Sequence, residues 1–176
     1  MRGALASLAV AAIALSATEV LAFERQWKAG VEGGYALAGF TPSAASGFAT
    51  GLHLTYGLTD AFNLRAHADV CAFDLPEPAT SAVIWHTGLG AEYVIDILTW
   101  VPYVGATVGP SPMFLQDGAT RVHLGLEGLG GLGYQLSRSF TLGLEARYRA
   151  LLFGTEGESP THNLLVLGRL EYAWGY

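Results

Sequence analysis

The sequence predicts an all-β chain, an eight-stranded antiparallel up-and-down transmembrane β-barrel preceded by a cleaved signal peptide. Three observations carry this. Apolar and polar residues alternate with period two in eight segments, each with one aromatic-rich face and one small or charged face. The connections between the segments run long, short, long, short, long, short, long, the layout of hairpins that turn tightly at one end of a barrel. The apolar face is also too bulky to lie inside. It carries Trp27, Tyr35, Phe48, Tyr56, Phe62, Trp85, Tyr93, Trp100, Tyr134, Phe140, Tyr148, Tyr172 and Trp174, whereas eight strands enclose a lumen just wide enough to fill with side chains. The aromatic face therefore looks outward, into lipid.

The bulk composition excludes the main alternatives. A chain of 176 residues suggests one domain. It is 51% hydrophobic and 14% charged. After the N-terminus no apolar run is long enough for a membrane helix, which argues against a helical bundle. The net charge is −6, and Lys28 is the single lysine, so nucleic acid is not an expected partner. Cys71 stands alone, which leaves no internal disulfide and no cysteine metal site.

Met1 and Arg2 precede an apolar run from Ala4 to Ala17, and Val20-Leu21-Ala22 offers the small residues that a signal peptidase reads. Residues 1–22 are thus expected to be removed, leaving the barrel domain as 23–176. The first strand runs from Trp27 to Leu37, with Lys28 and Glu32 on its polar face. The second, Phe48 to Leu58, follows a loop rich in Ser, Ala and Gly and leads through Thr59-Asp60-Ala61 to the third, Phe62 to Ala72. Pro76 and Pro78 cannot donate to a ladder and mark a loop. The fourth strand, Val83 to Ile95, turns at Asp96-Ile97-Leu98 into the fifth, Trp100 to Gly109, with Pro102 near its start. A longer loop from Pro110 to Thr120 is expected before the sixth strand, Arg121 to Leu136. Ser137-Arg138-Ser139 turns it into the seventh, Phe140 to Leu151, and a last loop, Leu152 to His162, contains Gly154, Gly157 and Pro160.

Two features of the faces agree with the outward aromatic assignment. Each strand places an aromatic near its short-turn end, namely Trp27, Tyr56, Phe62, Tyr93, Trp100, Tyr134, Phe140 and Trp174. Such a girdle suits the membrane interface, where amphipathic rings sit best. The inward face sets Lys28, Arg65, Arg121, Arg147, Arg149 and Arg169 against Glu32, Asp69, Glu92, Glu127, Glu145 and Glu171. Equal numbers of bases and acids predict a closed, mutually neutralised network. His53, His67, His86 and His123 also point inward, but from different strands and without ligand spacing, so they read as lumen packing and no metal or cofactor is expected. The inward glycines, among them Gly30, Gly51, Gly88, Gly90 and Gly125, have two readings, room for long Arg and Glu side chains or a narrow water path, and the small radius of eight strands favours the first. Asp74, Glu77, Asp117, Glu156 and Glu158 form an acidic loop rim, read as solvated surface, and His162 reads as a solvated loop residue.

The last stretch, Val166 to Tyr176, alternates Val166, Gly168, Leu170, Tyr172, Trp174 and Tyr176 with Leu167, Arg169, Glu171, Ala173 and Gly175. It resembles the C-terminal strand of Gram-negative outer-membrane barrels, whose alternating apolar residues and terminal aromatic are read during assembly; Tyr172, Trp174 and Tyr176 would be that signal. The stretch Tyr56-Gly57-Leu58-Thr59-Asp60-Ala61-Phe62 similarly looks like a periplasmic turn of this class. Across the mature chain the resemblance is to the small eight-stranded barrels of the OmpA/OmpX type, without a peptidoglycan-binding domain after the barrel. It implies a monomeric integral protein of a Gram-negative outer membrane, surrounded by lipid and lipopolysaccharide. Insertion would depend on the barrel assembly machinery and periplasmic chaperones. The expected function is non-enzymatic, an envelope or surface-interaction role with a charge-paired closed lumen; the alternative is a narrow channel for ions or small solutes. A lipid-modifying enzyme like the outer-membrane lipid A deacylases would need an outward His and Ser two residues apart, and no His-x-Ser occurs.

Overall fold

A computed structural model describes residues 25–39, 44–74, 81–95, 99–116, 118–152 and 162–175. Residues 1–22 with their predicted cleavage site, Glu77, Asp117, Glu156, Glu158 and Tyr176 lie outside the described residues.

Eight strands, β1 (Trp27–Gly39), β2 (Ala44–Gly57), β3 (Phe62–Asp74), β4 (Ser81–Val94), β5 (Trp100–Leu115), β6 (Thr120–Gln135), β7 (Phe140–Leu152) and β8 (His162–Trp174), pair each with the next. β8 closes on β1 to complete a barrel whose neighbours are all antiparallel. The alternation that defines each strand is also its burial pattern. β8 alternates exposed and buried residues without a break from His162 to Trp174, as period-two side chains on a closed sheet must.

The registers fix the size of the cylinder. Stepping between paired residues from Trp27 through Tyr56, Leu64, Ala91, Ala106, Gly128, Tyr148 and Leu164 returns to β1 at Leu37, ten residues up the strand. Eight strands with that stagger tilt by about 40° and enclose a backbone radius of about 8 Å, which side chains fill.

Two short turns share one chemistry. In Leu58-Thr59-Asp60-Ala61-Phe62 the amides of Leu58 and Thr59 donate to the Phe62 carbonyl, and the Thr59 hydroxyl accepts from the Phe62 amide at 3.0 Å. Leu136-Ser137-Arg138-Ser139-Phe140 repeats this with Ser137, whose hydroxyl accepts from the Phe140 amide at 3.1 Å. A hydroxyl that holds the next backbone amides replaces the glycine a tight turn would otherwise need.

Most boundaries shift by one or two residues from the sequence expectation, and four differences matter more. β5 does not end at Gly109 but runs through Pro110 and Pro112 to Leu115. Its pairing with β6 is continuous there, while the ladder to β4 is interrupted between Ile84↔Met113 and Leu89↔Val108. The prolines lack the amide that this seam needs, so the strand continues with one side of its ladder open. β8 begins at His162, which is a strand residue stacked at 5.9 Å on the Tyr148 ring rather than a loop residue. β2 begins at Ala44, ahead of Phe48, and β3 extends to Asp74, so that member of the acidic rim is the end of a strand.

The outer surface is hydrocarbon-like. Val31, Leu52, Leu89 and Leu144 are each more than half exposed at mid-strand, Leu89 at 68%. A continuous apolar surface of this kind is stable in a bilayer and not in water. All eight girdle residues stand on it at the short-turn end. Their rings meet across strands as Trp27–Tyr56, Phe62–Tyr93 and Trp100–Tyr134, at 4.7, 5.1 and 4.9 Å. Phe140 pairs with Tyr172 at 5.2 Å, and Tyr172 stacks on Trp174. Eight residues further along β1, β2, β4 and β7 stand Tyr35, Phe48, Trp85 and Tyr148, also outward. This second belt lies roughly 20 Å from the first, given the tilt and a rise of about 3.3 Å per residue.

Candidate functional site

Among the described residues the fold concentrates charge in the lumen, which is built in layers. At the long-loop end Ala36, Ala38, Ala45, Ala49, Cys71, Phe73, Ile84, Met113, Leu165 and Leu167 form an apolar plug. Leu115 and Leu151 pack against it. At the short-turn end Val94, Val101, Tyr103 and Leu129 form a second, smaller apolar cluster. The charged residues lie between the two.

Arg147 is the hub of that middle layer. Its Nε donates to Glu145 at 2.5 Å, and its Nη2 reaches across the lumen to Glu32 of β1, also at 2.5 Å. Two residues along β7, Arg149 donates through Nε and Nη2 to one oxygen of Glu127, at 3.0 and 2.7 Å, and crosses to Asp69 at 2.7 Å. Arg65 of β3 grips both oxygens of Glu145 at 3.0 Å and also holds Glu92, which accepts from Asn63 as well. Arg169 binds Glu145 at 2.7 Å and Glu171, and lies over the Tyr103 ring with 4.6 Å to its centre. Tyr103 in turn donates to Glu145 at 2.6 Å. His53 bridges Glu32 and Glu171 at 3.1 and 3.0 Å.

Ten members of the sequence-derived charge set are fully buried here: Glu32, Arg65, Asp69, Glu92, Glu127, Glu145, Arg147, Arg149, Arg169 and Glu171. Lys28 and Arg121 are half-buried at opposite ends of the barrel, Lys28 lining a void of about 20 Å³ beside Glu171 and Tyr103. A void of that size holds about one water. Six buried acids therefore face four buried arginines. The even count read from sequence applies to the whole inward face, not to its sealed middle.

Chemically the layer does what buried ion pairs do when every charge has partners. Removing one member leaves the others desolvated and uncompensated, so the network fixes a single register and a single closed state. The glycines make it possible. At Gly51 a side chain would collide with the Ala68 carbonyl and stand 2.9 Å from Glu32 Oε1. Sequence reasoning found the charges and missed both apolar layers; their signal was the alternation itself, which carries Phe73, Ile84 and Met113 inward once the strands are extended. It also missed Tyr103, Asn63 and Ser111 as partners, because a neutral side chain on an inward face has no signature until its charged neighbour is placed.

No protein-family description and no curated protein matches the chain. Solved structures do. Neisserial surface protein A (NspA) superposes with a TM-score of 0.75 at 15% identity, over 83% of this chain and 96% of that one. The N-terminal β-barrel domain of Pseudomonas aeruginosa OprF gives 0.60 at 14% identity, over 86% and 98%. Ail, the attachment invasion locus protein of Yersinia pestis, gives 0.55 at 12% identity, over 86% and 100%. What they share with this chain is the fold, that of the small eight-stranded outer-membrane barrel.

Proposed function

We propose that this is an integral outer-membrane barrel that carries no solute and catalyses no reaction, and that it serves the envelope or contacts other molecules through its surface. The observation that supports this is the layered lumen, with a cross-linked Arg–acid network beneath an apolar plug at the long-loop end and a smaller apolar cluster at the short-turn end. An ion would have to cross apolar plugs and displace charge-assisted hydrogen bonds in a low-dielectric interior. The chain is exported through its signal peptide and inserted by the barrel assembly machinery with periplasmic chaperones. It works as a monomer among lipid and lipopolysaccharide. The test is single-channel conductance of the chain from Phe23 onward in planar bilayers, beside Glu127→Ala and Arg147→Ala. A silent wild type with current steps in either variant is expected. Steady wild-type conductance overturns the reading and makes the protein a narrow channel.

A further inference from the structure

Among the buried polar atoms that make no hydrogen bond, those of His67 and His86 lie together beside a carboxylate. His67 of β3, His86 of β4 and Glu127 of β6 are all buried, and one ligand atom from each lies within 4.8 Å of the others. The two rings are 5.1 Å apart, centre to centre. Neither nitrogen of His67 and not the Nε2 of His86 makes a hydrogen bond. His67 Nε2 stands 3.3 Å from Glu127 Oε1, at an angle that makes none. Buried polar atoms ordinarily find partners, and two unpaired Nε2 atoms that face one point beside a carboxylate call for an explanation.

We propose that His67, His86 and Glu127 bind a divalent transition-metal ion of the zinc or copper kind inside the barrel. Two imidazoles and a carboxylate are a donor set that such ions take, with metal–ligand distances near 2.0–2.2 Å. Three further features fit. Nδ1 of His86 is hydrogen-bonded to Ser111 Oγ at 2.7 Å, which orients the ring and leaves Nε2 for the ion, the usual support for a ligating histidine. Arg149 holds only Oε2 of Glu127; Oε1 lies beside His67 and accepts from the Thr107 hydroxyl at 3.3 Å, which orients it toward the site. Gly88 keeps the space open: a Cβ there would stand 3.0 Å from the Nε2 of both rings. Because all three ligands are buried inside the closed barrel, the ion enters as the barrel forms and its role is structural.

The full chain is unfolded in urea and refolded into detergent with Zn²⁺, with Cu²⁺ or with a chelator. After gel filtration in metal-free buffer, bound metal is measured by mass spectrometry, and folding by the gel mobility of unheated samples. The wild type is expected to retain a single ion per chain. His67→Gln with His86→Gln should lose it, Ser111→Ala should weaken it by about 10–100-fold, and the exposed His162→Gln should keep it. Background metal in the folded wild type, or equal retention by the double variant, overturns the proposal. If the variants do not fold, the wild type decides alone: electron paramagnetic resonance of the Cu²⁺-loaded barrel must show coupling to two imidazole nitrogens, and its absence overturns the site.

Discussion

Arg147→Met separates a barrel held by its charge network from one held by its hydrocarbon surface. The arginine is wholly buried and touches Glu145 and Glu32 at 2.5 Å, Asp69 at 3.6 Å and Glu127 at 3.9 Å. Methionine keeps much of the stem volume and removes the charge. Glu145 retains Arg65, Arg169 and Tyr103, but Glu32 is left with His53 and with Arg65 at 3.7 Å. Breaking a buried pair from one side costs about 3–5 kcal/mol, roughly 10²–10³·⁵ in the unfolding equilibrium. The effect should be larger here than in a balanced network, because the buried acids already exceed the arginines. The same reasoning makes Glu92→Gln mild. The amide oxygen keeps one of the bonds from Asn63 and Arg65 and its NH2 loses the other, but the change also removes a charge of the sign in excess, so the cost should stay below that of Arg147→Met, at about 1–2 kcal/mol. The assay is urea unfolding in lipid vesicles, followed by emission from the outward-facing Trp27, Trp85, Trp100 and Trp174. Equal midpoints for the two variants, or an Arg147→Met midpoint at the wild-type value, would refute the charge-excess argument.

Leu89→Arg places a guanidinium on the lipid face near the midplane and should destabilise by about 2–4 kcal/mol in the same unfolding assay, whereas in a detergent-free aqueous fold it would be neutral. Cys71 lies fully buried in the long-loop plug, so maleimide should leave the folded barrel unlabelled and modify it fully in urea, as read by intact mass. Between residues 85–88 of β4 and 109–112 of β5 the ladder is open, so amides of Trp85 to Gly88 that face β5 should exchange with deuterium faster than mid-barrel amides of β1 and β2. Equal rates would show that Pro110 and Pro112 cost the seam nothing.

Much of this was legible because a membrane barrel writes its fold in the simplest code available. Each inward or outward assignment follows from parity, and one slip would turn charges such as Arg147 and Arg149 toward lipid. The strand ends were legible only where a turn has its own chemistry, as at Thr59 and Ser137. Pro110 and Pro112 read as a loop because proline normally leaves a ladder. In the structure the ladder to β6 alone carries the strand onward to Met113, a long-range compensation that local propensity does not contain. The histidines were opaque for the same reason. His67 and His86 face one another through the register of β3 and β4, which sets His67 opposite Gly88, and Glu127 comes from the far wall. The inward parity of each was plain; their convergence needed the closed cylinder.

Chain order gives that closure an electrostatic direction. Strands β1 to β6 contribute Glu32, Asp69, Glu92 and Glu127 to the buried layer against Arg65 alone, a net charge of −3 from one base and four acids. The β7–β8 hairpin contributes Arg147, Arg149 and Arg169 against Glu145 and Glu171, a net charge of +1 from three bases and two acids. Three contacts that cross the lumen, Arg147–Glu32, Arg149–Asp69 and Arg65–Glu145, join these two halves, while Arg65–Glu32 and His67–Glu127 lie within the first. In an open sheet of the first six strands Lys28 and Arg121 offset part of this at the strand ends, the mid-barrel acids still outnumber Arg65, and the last hairpin carries the arginines that meet them. Hydrogen bonding between neighbours forms strand by strand. The cross-lumen pairs form only when β8 reaches β1, so their free energy falls on the step that makes the barrel closed rather than on those that make it a sheet.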